Sequence, residues 1–257
     1  LIDDRATSGR ETPPSARQGM ETTGIAAGGL SSTQPRVLTA SLRGPSTSLG
    51  AVPIGFRVKG ALDEARLRRA CEEVAMRHPL LRTTYDLETS TQRVDPEPTL
   101  DWEVADKEGA SQADVDEALQ AMRVRGFDVS REHQLRVRVL RVAPEERLVV
   151  FQTHQLATDG WGTRALTREI GEVYRARTRN EAPSLPELSI QPIDFAVWEE
   201  KARQSAEHAE DAEWWTARLA GAPERAQLPV DRAEAPTLEC RSVDWSMSDA
   251  DAAALRA

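Results

Sequence analysis

The chain has few cysteines and few aromatic side chains. It also lacks any long apolar run, and each shortage excludes something. Two cysteines in 257 residues, Cys71 and Cys240, cannot form the framework of a disulfide-stapled secreted domain. Cys71 sits on the apolar stripe of a predicted helix, where a free thiol fills core, and a reducing cytoplasm is the expected compartment. No stretch approaches the ~18–20 apolar residues of a membrane span. No basic segment followed by an apolar core marks a secretory signal. The net charge of −9 argues against nucleic acid and against anionic membrane surfaces as partners. There is no P-loop, no dinucleotide-binding glycine fingerprint and no G-x-S-x-G elbow, so neither nucleotide nor serine-hydrolase chemistry is expected. The four histidines, His78, His133, His154 and His208, share no ligand spacing with cysteines or carboxylates. No metal site is therefore expected. His133 and His208 read as isolated surface residues.

What is present reads as soluble α/β patterning. Residues 1–30 hold Gly, Ser, Thr, Pro and charges, and are expected to be a flexible tail with order only where they meet the domain. Residues 31–40 suit a short helix or turn. Residues 52–59 alternate as a strand, and 62–77 repeat apolar residues at Leu67, Ala70, Cys71 and Val74, a helix capped by Asp63. Short strands are expected at 81–86, 92–95 and 102–106, and an amphipathic helix at 112–124. Leu135–Val139 alternates strictly, as a half-buried strand does. The continuous run Leu148–Phe151 suits a central strand covered on both faces. A helix is expected at 161–178, a proline-rich linker at 181–192, helices over 194–220 and a strand near 240–246. A last helix capped by Ser248 or Asp249 stops after about two turns. Trp198, Trp214 and Trp215 read as helix packing residues, and the Arg66/Arg68/Arg69 face as solvated or as a contact for an acidic protein.

Several blocks occur in order along this pattern. They are Ser31-Ser32-Thr33-Gln34-Pro35-Arg36, Arg77-His78-Pro79-Leu80-Leu81-Arg82-Thr83-Thr84-Tyr85, His154-Gln155-Leu156-Ala157-Thr158-Asp159-Gly160-Trp161 and Asp194-Phe195-Ala196-Val197-Trp198. Leu228-Pro229-Val230-Asp231-Arg232 follows. They are similar to the SxAQxR, RHxxLRTxF, HHxxxDGW, DFAVW and LPTDR motifs of condensation domains from nonribosomal peptide synthetases. The resemblance implies two lobes, each like chloramphenicol acetyltransferase (a mixed sheet flanked by helices), meeting at a V-shaped cleft. It implies amide bond formation between groups tethered to the phosphopantetheine of acyl or peptidyl carrier proteins, with no cofactor of the chain's own. Those carriers and the neighbouring synthetase domains are the expected partners. Residues 31–180 are expected to form the first lobe, and 181–257 a linker and the incomplete beginning of the second.

One departure matters most. The family's second histidine, which meets the reacting amine, falls on Gln155. A carboxamide offers an acceptor and two donors but takes no proton near neutral pH. General acid–base catalysis is worth about 10²–10⁴ in rate, so impaired turnover is expected. By resemblance His154 is structural, and strand alternation places it on the face opposite residue 155. Asp159 reads as the cap of the next helix, and in the family as a buried carboxylate paired with an arginine, Arg82 first or Arg77 second. Gly160 reads as a close-approach glycine near the substrate carbonyl, or as a plain turn glycine. His78 reads as a helix C-terminal histidine facing the macrodipole. Trp161, Asp194 and Trp198 are expected to hold the cleft's architecture. Three readings stay open: an impaired enzyme, a non-catalytic condensation-like domain that binds a carrier protein or recruits a tailoring enzyme, and a deliberate substitution that traps substrate.

Overall fold

The computed structural model describes residues 26–41, 50–109, 111–223 and 246–256. These fall into two compact units, one ending at Asp211 and one beginning at Ala212. The first is built on a four-stranded sheet of β2 (Ala51–Lys59), β5 (Asp101–Asp106), β6 (Leu135–Ala143) and β7 (Glu146–His154), in the order β2-β7-β6-β5. β7 runs antiparallel to both neighbours, and β5 lies parallel to β6. A smaller antiparallel sheet, β1-β4-β3, combines Ala27–Gly29, Thr91–Val94 and Thr83–Asp86. This mixed α/β architecture is the expected one.

Strand periodicity sorts the core into two layers. Val137, Val139, Val149 and Phe151 point to one face of the large sheet. There they meet α2 (Glu64–Arg77) and α4 (Gly160–Thr178) through Leu67, Cys71, Val74, Leu166 and Ile170. Leu140, Leu148 and Val150 point to the other face and meet Val115 of α3 (Gln112–Val124). Caps fix where the helices start. Asp63 accepts from Arg66 N–H at 2.9 Å, and Ser111 and Asp114 form a capping box. Cys71 is fully buried, and that burial pushes its thiol well above the ordinary range. No helix among the described residues is long and apolar enough to cross a membrane.

Several expectations need correction. The alternating strand β6 is not half-buried: Leu135 to Leu140 are all buried, and Arg136 is 1 % exposed. Its polar face is covered because the guanidinium groups find partners. Arg136 donates to Asp101 at 2.8 Å and Gln152 at 2.7 Å; Arg138 donates to Asp101 at 2.6 Å. A buried charge is tolerable only when paired in this way. The expected tail carries strand β1 at Ala27–Gly29, and residues 1–25 lie outside the described residues. The strand expected from residue 81 starts at Thr83, because Pro79–Arg82 forms a 3-10 helix with Pro at its start. α1 (Gln34–Ser41) occupies the short helix expected at 31–40. His133 is no isolated surface residue. Its side chain is 7 % exposed, its Nε2 lies 2.9 Å from Asp95 Oδ2, and its Nδ1 accepts from Thr99 N–H at 2.7 Å.

The first compact unit, which ends at Asp211, also holds a helix beyond α4. α5 (Pro192–Arg203) packs against β1, and Glu199 accepts from the backbone and hydroxyl of Ser32 at 2.6 and 2.5 Å. Trp214 and Trp215 on α6 (Ala206–Arg218) are more than half exposed and stack edge to face on each other. They are not packing residues among the described residues. α7 (Asp249–Arg256) is capped by Ser248, whose Oγ accepts from Asp251 N–H at 3.2 Å. Residues 240–245 of the strand expected near 240–246, Cys240 among them, lie outside the described residues.

The Asp101 cluster ties stability to pH. Burial pushes the Asp101 carboxyl up, but the hydrogen bonds and charges of Arg138 and Arg136 outweigh it and hold the carboxyl below its ordinary range. A depressed carboxylate contributes stability that is complete above its unfolded value of about 3.9, and that is lost as pH falls through the lower folded value. Asp101→Asn is expected to cost about 3 kcal/mol in urea denaturation at neutral pH, because it removes the nearer of the two carboxylates paired with buried Arg136 and leaves only Glu132, at 3.5 Å. That is the low end for a broken buried pair, since Asp101 itself is partly open to screening solvent. The gap between the two chains should narrow under acid.

Candidate functional site

The motif occupies the turn between the end of β7 and the start of α4. The register fixes it from one side: Ala51 pairs with His154, and the next residue, Gln155, donates its backbone N–H to Gly50 O at 2.7 Å. The turn then closes on itself. His154 O accepts from Ala157 N–H at 2.9 Å and Thr158 N–H at 3.1 Å, and the Thr153 and Thr158 hydroxyls lie 2.6 Å apart. Tyr85 donates its buried hydroxyl to Leu156 O at 3.3 Å, and burial pushes that phenol well above its ordinary range.

Within this frame the two adjacent side chains part company. His154 is 1 % exposed, whereas Gln155 is exposed. His154 Nδ1 accepts from Leu156 N–H at 3.1 Å. In a neutral ring the proton then sits on Nε2, so the one basic lone pair is already engaged. The ring meets Phe127 edge to face at 5.9 Å, and Phe127 in turn lies under the Arg136 guanidinium at 4.3 Å.

The remaining motif residues spread around this turn. Asp159 is exposed, and its Oδ1 accepts from Gly162 N–H at 2.7 Å as the N-cap of α4. Among the described residues this exposed carboxylate forms no ion pair with an arginine. Arg77 donates Nε to Glu169 at 3.0 Å and also bonds Pro186 O, while Arg82 donates to Asp95 O. Gly160 is the first residue of α4, and among the described residues a side chain there would meet nothing within 4 Å. Trp161 is 82 % exposed among the described residues. His78 does sit at the C-cap of α2, but its Nε2 lies 2.7 Å from the buried Glu169 carboxylate, a partner the macrodipole reading missed.

Asp194 is buried in the first turn of α5, where its Oδ2 accepts from Gln191 N–H at 2.8 Å. Trp198 is half-buried, 5.6 Å from the Phe195 ring. A mostly apolar cavity of about 150 Å³ lies beside the motif turn, lined among others by His78, Leu81, Thr158, Gly162 and Leu166. Gln34, from the first motif block, is buried beside Tyr85, with which its side chain hydrogen-bonds, and is also bonded to Ser31 N–H at 2.8 Å and Gln92 at 3.2 Å. Gly50 is the site residue that sequence reading missed; its one signal was a glycine immediately before an alternating strand.

The cap geometry of Asp159 is directly testable. Asp159→Ala should cost about 1 kcal/mol in chemical denaturation, and Asp159→Asn no more than about 0.5 kcal/mol, because either side chain caps equally well. A buried ion pair would lose about 3–5 kcal/mol with either substitution.

Known proteins bear on the same residues. A family model described as condensation domain matches residues 28–257. A probable non-canonical nonribosomal peptide synthetase of Salinispora arenicola, CymA, is 32 % identical over 199 residues, covering 74 % of this chain and 2 % of that protein. A dimodular nonribosomal peptide synthase of Bacillus subtilis is 28 % identical over 203 residues, covering 74 % of this chain and 8 % of that one. Among solved structures, the complex of the X-domain and OxyB from teicoplanin biosynthesis matches with a TM-score of 0.70 at 25 % identity. It covers 80 % of this chain and 46 % of that one. A starter condensation domain of rhizomide synthetase in complex with C8-CoA matches in fold, with a TM-score of 0.72 at 21 % identity, over 83 % of this chain and 50 % of that one. The chain thus spans about half the length of these solved domains and under a tenth of these synthetases. With its motif turn, its mixed sheet and a match along nearly all its length, the chain belongs to the condensation-domain family of nonribosomal peptide synthesis.

Proposed function

We propose that the chain carries the first lobe, about 31–180, and the beginning of the second lobe of a domain that joins two carrier-tethered groups through an amide bond. Turnover is impaired at Gln155. The observation that carries this reading is the division of labour at the motif turn: the exposed side chain at the family's reactive position is a carboxamide, and the adjacent imidazole is buried with Nδ1 engaged.

The reaction sets the demand. A neutral amine attacks a thioester carbonyl, a C–N bond forms, the C–S bond breaks, and the amine nitrogen must give up a proton as the tetrahedral intermediate collapses. Gln155 accepts a hydrogen bond from the amine through Oε1 and orients it, but carries no proton away. His154 does not replace it, since its Nδ1 is occupied and its ring lies inside. The substrates arrive on the phosphopantetheine of carrier proteins, so the domain supplies position rather than a cofactor. Neighbouring synthetase domains complete the assembly.

A second reading has its own support. The X-domain from teicoplanin biosynthesis, solved in complex with OxyB, is similar at 25 % identity. By analogy this chain would act as a non-catalytic domain that binds a carrier protein or recruits a tailoring enzyme.

The test loads donor and acceptor carriers and measures dipeptidyl product. Because the chain spans about half of the solved domains, a second half from a related condensation domain is supplied in fusion. Gln155→His is expected to raise the single-turnover rate by about 10²–10⁴. Equal rates for the two chains would refute the proton-transfer argument. No product from either, with carrier or OxyB-type partner binding retained, would establish the binding-module reading.

A further inference from the structure

We propose that Gly50 is a positioning residue that sets how side chain 155 is presented, by leaving room for the His154 ring. Three observations meet at this residue. Its φ of +92° lies in the region that side-chain-bearing residues avoid. A Cβ built there would overlap His154 Nε2 and lie 2.8 Å from Cε1 and 3.1 Å from Cδ2. Its carbonyl accepts the Gln155 backbone N–H at 2.7 Å. The same residue therefore provides the slot for one motif side chain and the backbone anchor for the next.

The obstruction cannot be relieved by a small movement of a flexible group. His154 is held on its other edges. Phe127 meets the ring edge to face at 5.9 Å, and Leu156 N–H donates to Nδ1 at 3.1 Å. Phe127 is itself fixed beneath Arg136, which is 1 % exposed. A ring that cannot tilt away must leave the slot. Neighbouring side chains at a strand end face opposite ways, so turning His154 outward turns residue 155 inward. Gly50, Phe127 and Arg136 thus act on residue 155 through His154 without touching substrate.

The inference rests on residue 155 being the reactive position, but its test does not depend on turnover. Gln155→Cys serves as the reporter in a Cys240→Ser background, with the remaining thiol, Cys71, fully buried. Iodoacetamide alkylation of the thiol introduced at position 155 is timed with Gly50 and with Gly50→Ala, each carrying either His154 or His154→Ala. With His154 present, Gly50→Ala is expected to slow alkylation at least about tenfold. With His154→Ala, the same substitution should leave the rate within about twofold, because the slot is then empty.

Equal slowing in both backgrounds would assign the effect to backbone strain at φ +92° and overturn the ring contact. No slowing in either would overturn the positioning role. Should Gly50→Ala fail to fold, NMR of the unsubstituted chain decides. A nuclear Overhauser contact between Gly50 Hα and the His154 ring protons is expected, and its absence contradicts the proposal. A failure of Gln155→His to restore amide formation, with the alkylation pattern as expected, would count against the catalytic reading alone.

Discussion

The site depends on one constraint, the pairing of β2 with β7 that sets Ala51 opposite His154. Strand side chains alternate, so this register decides which of two adjacent residues enters the protein and which faces out. His154 goes inside, and residue 155 is left at the surface of the strand-to-helix turn. The identity of that second side chain then determines whether a proton can be moved. A one-residue slip would place the imidazole outside and the carboxamide within, and would reverse every conclusion about activity.

The register is protected by a polar layer rather than by apolar packing alone. β6 pairs with β7 along its length and carries Arg136 and Arg138 on the face toward α3. Arg136 reaches Gln152 on β7, Asp101 on β5 and the ring of Phe127. Phe127 touches His154. The buried charge at the centre of the sheet is thus linked through one aromatic ring to the motif histidine. Removing a partner from such a network leaves a guanidinium without compensation in low dielectric, which is why its members cannot be exchanged singly.

Much of this was legible in the chain itself. Helix α3 at 112–124 and the start of α2 at Asp63 follow from local signals, since apolar period and capping chemistry involve residues within one or two turns. The motif blocks identified the family for the same reason: each is short and contiguous. What stayed hidden depended on contacts distant in sequence. Arg136 and Arg138 looked like a solvated face because their partner, Asp101, lies 35 and 37 residues away. His133 looked exposed because Asp95 is 38 residues earlier. The expected Asp159 partner failed for a related reason: Arg77 is engaged by Glu169, 92 residues on, and Arg82 by a backbone carbonyl. Gly50 gave no warning, because a glycine in a Gly/Ser/Pro stretch reads as turn chemistry until the ring beside it is seen.

The most direct measurement is nitrogen-15 NMR of the His154 imidazole in the unsubstituted chain at neutral pH. The account predicts an unprotonated Nδ1 that accepts from Leu156 N–H, with the ring proton on Nε2. A proton on Nδ1, or the averaged tautomer signals of an imidazole open to solvent, would contradict it.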